Sequence, residues 1–249
     1  MKFLNLKCNF ILIFITSFLF IACKDKPVVK KKTVSPYYTL SDVNLNKYKA
    51  LKFGQAIWMV ENLKTTYYSY RTTYGKYDSI HGLYPANRSI ADLERKPLDT
   101  LNYQVAYSGA DSNLLSYGRL YTWHTTVDQR NLCPTGWHLP SEKEWDTIIS
   151  FLGGAEIAGG KMKDISKEFW KLPNVGATNS SLFSARGGGY RTEFGSFINQ
   201  GLYGYYWSST ADPSDETSAI AYCFYAGTSK IYKSAKPKRY AMSVRCIKN

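Results

Sequence analysis

The sequence predicts an α+β domain. Three observations carry this expectation: residues 141–152 hold a complete set of helix signals, residues 156–163 hold a second and shorter helical pattern, and the chain from Asn179 onward is all turns and strand-prone runs. Two helices followed by consecutive strands suggest segregated α and β parts, with the strands joined as an antiparallel meander. The 249 residues suffice for one sizeable core and an arm. With 21 Tyr, 12 Phe and 6 Trp and only 20% charged residues, the composition is not that of a disordered chain.

The first element in chain order is a leader, residues 1–22. Lys2 and Lys7 precede an almost wholly apolar run from Phe10 to Ile21, which is short for a membrane-spanning helix and is followed at once by charges. Phe20-Ile21-Ala22-Cys23 resembles a bacterial lipobox, with Phe20 in place of the usual Leu. The resemblance implies cleavage before Cys23, acylation of Cys23 and attachment to a lipid bilayer. An ordinary signal peptide with an incidental cysteine is the alternative. Lys24-Asp25-Lys26 resembles the signal that sends such lipoproteins to the outer face, with a single acidic residue. The expectation is therefore a lipid anchor in the outer membrane facing the extracellular side, with the periplasmic side as the alternative. Residues 23–50 hold Pro27, a lysine cluster and Ser35-Pro36 without an apolar period, and read as a flexible basic tether. The formal net charge of +13 suits an anionic membrane or envelope polymer. No helix carries a basic face and the chain is read as exported, so nucleic-acid binding is not expected.

The domain is assigned to residues 51–249. Residues 56–60 form a strand pattern introduced by Gly54, and residues 67–107 read as a long irregular insertion with a short helix near Ser89 to Arg95. Tyr117 to His124 is a short helix or an extended segment that seats Tyr121 and Trp123. Trp137 and Leu139 alternate as in a half-buried strand, and Pro140 stops the pattern. Ser141 and Glu144 then form a capping box. Trp145, Ile148, Ile149 and Leu152 make one apolar stripe before Gly153-Gly154. The second helix turns Ile157 and Met162 inward, although Gly159-Gly160 interrupts it. Gly187-Gly188-Gly189 suits a tight turn or a close backbone approach. Residues 204–210, 219–225 and 241–246 are strands, the last two paired across a basic hairpin region from Lys230 to Arg239.

These residues carry a family. Gln55 through Leu63, Tyr117 through Trp123, Cys133 through Trp145, Ala177 through Ser181, Phe183-Ser184-Ala185, Tyr206 through Thr210 and Ser243 through Cys246 resemble, in order, the motifs of the Fibrobacter succinogenes major paralogous domain. Trp58, Glu61, Asn62, Trp123, Trp137, His138, Trp145 and Trp207 are the structural residues of those motifs. The resemblance implies a C-type lectin-like fold, with small antiparallel sheets and long irregular loops. It also implies kinship with the formylglycine-generating enzyme group, and secreted or lipid-anchored relatives. The long 67–107 segment and Arg186 depart from the common pattern.

Three cysteines remain beyond Cys23, so at most one internal disulfide forms among them. Cys133 and Cys246 each sit in a family motif, which favours that pair. Cys133 with Cys223, or reduced thiols, are the alternatives. Cys223 in a strand reads as a small buried residue rather than a catalytic thiol. His81, His124 and His138 are spaced for no metal site, and no Cys-x-x-Cys occurs. No cofactor is expected; calcium would need converging oxygens, with Asp212, Asp215, Glu216 and Asn179 as donors by type. No catalytic residue is expected. Glu142 and Glu144 suit a first helical turn, and Glu61 a structural carboxylate. Aromatic rings beside arginines suit a saccharide or peptide ligand, so Arg186, Tyr190, Arg191, Tyr203 and Tyr205 are the candidate binding residues. The expected function is a binding module for a glycan or a surface protein. An assembly subunit of a surface complex is one alternative, and a formylglycine-generating type of enzyme is the less favoured one.

Overall fold

The computed structural model describes residues 36–82 and 102–249, which belong to a compact unit spanning Ser35–Asn249. Cys23, most of the tether and the helix expected near Ser89 lie outside the described residues. The chain runs β1 (Tyr38–Ser41), β2 (Lys47–Phe53), β3 (Ala56–Met59), β4 (Tyr67–Arg71), β5 (Tyr77–Ser79), β6 (His81–Gly82) and β7 (Tyr103–Ala106). It continues with α1 (Asn113–Tyr117), β8 (Arg119–Thr122), α2 (Trp123–Thr126), β9 (Trp137–His138), α3 (Glu142–Phe151) and α4 (Ala155–Met162). It ends with β10 (Gly188–Arg191), β11 (Phe197–Gln200), β12 (Tyr203–Ala211), β13 (Ser218–Tyr225), β14 (Ile231–Pro237), β15 (Ala241–Met242) and β16 (Ile247–Lys248).

Strand dominates helix, 38% against 15%, which overturns the α+β expectation. The strands are spread along the whole chain instead of following the helices. A five-stranded sheet has the order β1-β2-β3-β16-β9, and a hairpin joins β4 and β5. The main sheet has nine strands, in the order β14-β13-β12-β10-β15-β8-β7-β6 with β11 also on β10, and it curls into a half-barrel. Two of its pairs, β6 with β7 and β10 with β12, are parallel. The C-type lectin-like layout of small antiparallel sheets does not describe this arrangement. Many of the strands span only two to four residues, too few for a period-2 signal to stand out in the sequence.

Three further expectations are corrected. Residues 38–50 of the supposed tether form β1 and most of β2, and Tyr48 and Ala50 are core residues. The 67–107 segment contributes four strands, and all of β7 is buried. The basic run from Lys230 is itself strand β14, which pairs with β13, while β15 pairs with β8 and β10.

Alternation along β12 divides the interior in two. Tyr205 and Trp207 face a cluster with Met59, Leu63, Tyr121, Met242, Val244 and the Cys133–Cys246 pair. Tyr206 faces the other way, with Tyr222 and Phe224, onto Trp58, Trp145, Ile148 and Ile149. Helix α3 supplies the last three with its predicted stripe, and its Ser141–Glu144 capping box is formed. In α4, Met162 points inward but Ile157 is 47% exposed, against expectation. Gly159 lies where a Cβ would stand 2.6 Å from the Ser229 carbonyl, so the interrupting glycines allow the helix to press onto the chain ahead of β14.

Candidate functional site

The register of β12 on β13 sets Tyr203 opposite Tyr225, Tyr205 opposite Cys223 and Trp207 opposite Ala221. Side chains two apart share a face of a strand, so these six lie on one face. β14 adds Tyr232, Ser234 and Lys236 to it through their pairing with Cys223, Ala221 and Ala219. Toward Trp207 this face is sealed in the core; toward Tyr203 it opens. Tyr190 arrives from β10 and Tyr240 from the turn before β15. The close passage of β10 past β11 requires Gly189, whose φ is +61° and where a Cβ would collide with the Ile198 carbonyl.

The result is a row of five tyrosine rings. Tyr240 stacks on Tyr190 at 5.1 Å, Tyr190 meets Tyr205 edge-on at 5.0 Å, Tyr205 stacks on Tyr203 at 5.7 Å, and Tyr203 stacks on Tyr225 at 4.6 Å. Tyr205 is buried in the middle, and the other four are half-buried with part of each ring open to solvent. The spacings are those of favourable aromatic pairs, so each ring holds its neighbours in place.

Two charges flank the row. The Lys236 ammonium sits 5.8 Å from the Tyr205 ring centre. Glu193, in the turn between β10 and β11, lies toward the Tyr240 end; its Oε2 is buried and has no hydrogen-bond donor among the described residues. Burial, with the Glu193 charge adding, raises the Tyr190 and Tyr240 phenols above their ordinary range. Burial does the same at Tyr205, helped by Cys223 and Tyr190, and pushes the Cys223 thiol up to about 12. At neutral pH Tyr190, Tyr203, Tyr205 and Tyr240 therefore present neutral phenols beside a protonated thiol. Such a surface can stack against the apolar face of a sugar ring and exchange hydrogen bonds with its hydroxyls.

Of the predicted binding residues, the structure brings Tyr190, Tyr203 and Tyr205 together and leaves the two arginines out. Arg186 donates to the carbonyls of Leu115 at 3.0 Å and Ser116 at 2.5 Å, and lies over the Phe169 ring at 3.8 Å. Arg191, next to Tyr190 on a strand, points to the opposite face, is fully buried and lies over Phe197. Sequence reasoning missed Tyr225, Tyr232, Tyr240, Lys236 and Glu193. The first of these was within reach, because a period of two from Cys223 marks Tyr225.

The motif residues form scaffold. The Trp58 and Trp145 rings meet at 4.9 Å, and the indole N–H groups of Trp145, Trp207 and Trp123 donate to the carbonyls of Trp207, Tyr121 and Ser208. The Asn62 amide donates to Tyr117 O and accepts from the buried Arg245 guanidinium, whose other donors go to the carbonyls of Phe183 and Ser184. Glu61 accepts from the Lys49 N–H at 2.6 Å. Trp137 is buried on β9, and His138 bridges Asn249 at 2.6 Å and Glu144 at 2.9 Å. Cys133 and Cys246 are joined in a disulfide, and Cys223 is free and buried.

Asp212 and Asp215 accept from residues two further along in their own turns, and Asn179 is engaged with Ser184. Among the described residues no three His, Cys, Asp or Glu side chains converge as metal ligands would.

No curated protein and no solved structure matches the chain. The family model described as the Fibrobacter succinogenes major domain matches residues 51–248. That span takes in every motif carrying the resemblance and all the strands from β3 to β16, so the chain belongs to the Fibrobacter succinogenes major domain family.

Proposed function

We propose that this domain is a non-catalytic binding module for an extracellular or envelope glycan, held at the outer membrane by acylated Cys23 and facing outward. The observation that carries the reading is the five-ring tyrosine row on the open part of the main sheet. Stacked rings held by their neighbours lose little conformational freedom when a ligand lands, which is what a saccharide platform requires. The cysteines favour binding over formylglycine-type oxidation: Cys133 and Cys246 are spent on a disulfide, and Cys223 lies under Tyr205 with its thiol protonated.

A glycan array probed with the full chain, with and without calcium, tests the reading. A saturable signal that disappears in a Tyr203→Ala, Tyr240→Ala double variant is expected. An unchanged signal in the double variant moves the site elsewhere. A silent array, with a protein recovered from envelope extract, supports the assembly-subunit reading instead. That rival has in its favour a groove of about 690 Å³ lined by Phe53, Ile57, Phe151 and Ile247, where Phe151 is 59% exposed. The anchor is checked separately. Cys23→Ser should release the protein from the membrane fraction, and protease treatment of intact cells distinguishes the outward from the periplasmic face.

A further inference from the structure

We infer that the tyrosine row reads an acidic glycan, a polymer bearing carboxylates, with Lys236 as the residue that recognises the charge. The inference rests on the platform reading above and adds the ligand's chemistry. The basic stretch around β14 holds Lys230, Lys233, Lys236 and Lys238, and three of them are occupied. Lys230 pairs with Glu156 at 2.6 Å, Lys233 with Glu142 at 2.7 Å and Asp146 at 3.1 Å, and Lys238 donates to the Glu216 carbonyl at 2.6 Å while covering Trp123. Lys236 has no carboxylate partner among the described residues; its contact is the face of Tyr205.

The strand period explains the difference. Lys233 alternates onto the face that meets α3, where Glu142 and Asp146 wait for it. Lys236 alternates onto the face of the tyrosines, where it is half-buried. An approaching carboxylate gives an ammonium that has no carboxylate partner a charge-assisted hydrogen bond stronger than a neutral one. The acid near the row, Glu193, stands at one end beside Tyr190 and Tyr240, away from the middle ring that Lys236 covers. The row is thus polarised, and an acidic substituent is favoured near Tyr205 and opposed near Tyr240. The net charge, +13 for the whole sequence and +11 once Lys2 and Lys7 leave with the leader, draws such a polymer in from a distance.

Polymers whose charge can be removed without changing the backbone test this directly. The full chain is titrated at one salt concentration with polygalacturonate, alginate and hyaluronate, each beside its methyl ester. At least one acid polymer should bind about tenfold more tightly than its ester. Lys236→Gln should bring that ratio close to one, and Glu193→Gln should tighten binding of the acid form. Lys52→Gln, an exposed lysine on β2 in the other sheet, should change neither and controls for bulk charge. Acid and ester binding equally, or a ratio unmoved by Lys236→Gln, overturns the inference. If the esters then lose binding in Tyr203→Ala, the platform reading survives that failure. No binding to any of these polymers also overturns the acidic-glycan inference, and the glycan array alone then decides the platform.

Discussion

Lys163 shows how much a single side chain can hold in this protein. It is fully buried, and its ammonium donates to the carbonyls of Val175, Tyr225 and Thr228 at 2.9, 3.0 and 2.8 Å. Lys163→Met keeps most of the volume and strands three carbonyls, for an expected loss of about 3 kcal/mol in urea unfolding. Burial also pushes the Lys163 ammonium down to about 8. The unfolded chain keeps that proton to about pH 10.4. Between those values the unfolded state binds more protons, so the Lys163 contribution makes stability rise with pH, and it is absent below about pH 8. The difference between wild type and Lys163→Met, measured from pH 7 to 10, should widen; a constant difference refutes the shift. One of the three carbonyls belongs to Tyr225, so this cation also pins an end of the tyrosine row. Nothing in the sequence marks Lys163 as buried, because its partners are main-chain groups from distant segments. Tyr190, Tyr203 and Tyr205 were legible as aromatics near glycines, whereas Arg191 was misread because a neighbour on a strand faces the opposite way.

Among the elements, α3 was the most legible, since cap, stripe and stop all agree locally. Ser141→Ala should cost about 1 kcal/mol, read from the unfolding midpoint. Burial opposes ionisation of Glu144, but the Ser141 N–H and hydroxyl and the neighbouring His138 outweigh it and hold the carboxyl below its usual range. A depressed carboxyl contributes stability above its unfolded pKa that is lost as pH falls through the lower folded value. Acid unfolding of Ser141→Ala should therefore be less steep below about pH 4.3 than that of wild type. The strands were legible where they are long, as in β12 and β13. They were lost where they are short, as in β1, β6 and β7, because two to four residues fit a loop as well as a strand. Pairing was lost too. The positive charge of β14 reads as a hairpin exposed to solvent, and only the sheet reveals that its lysines alternate between two faces.

At the scale of the whole molecule, the family was legible from ordered motifs while the architecture was not. Motif residues such as Asn62 and Trp207 are joints between distant segments, and a joint can be recognised without knowing what it joins. The Cys133–Cys246 disulfide is one such joint, with a sequence separation of 113 residues. Replacing both cysteines with serine should cost about 2–5 kcal/mol and remove the mobility difference between reduced and non-reduced gels. Equal stability of the variant and wild type would mean that the packing around Met59, Val244 and Leu132 closes the structure unaided. The five-stranded sheet adds a matter of timing. Its order puts β16, the last strand of the chain, between β3, one of the first, and β9. A chain emerging from its N-terminus can form the β1–β2–β3 ribbon early, yet the slot beside β3 stays vacant until residues 247 and 248 have been made. The final few residues thus act as a latch. A polypeptide shortened by a handful of residues at its C-terminus should lose Met59 N–H bonding to Cys246 O and the His138–Asn249 contact along with the strand, and remain an open, protease-sensitive form.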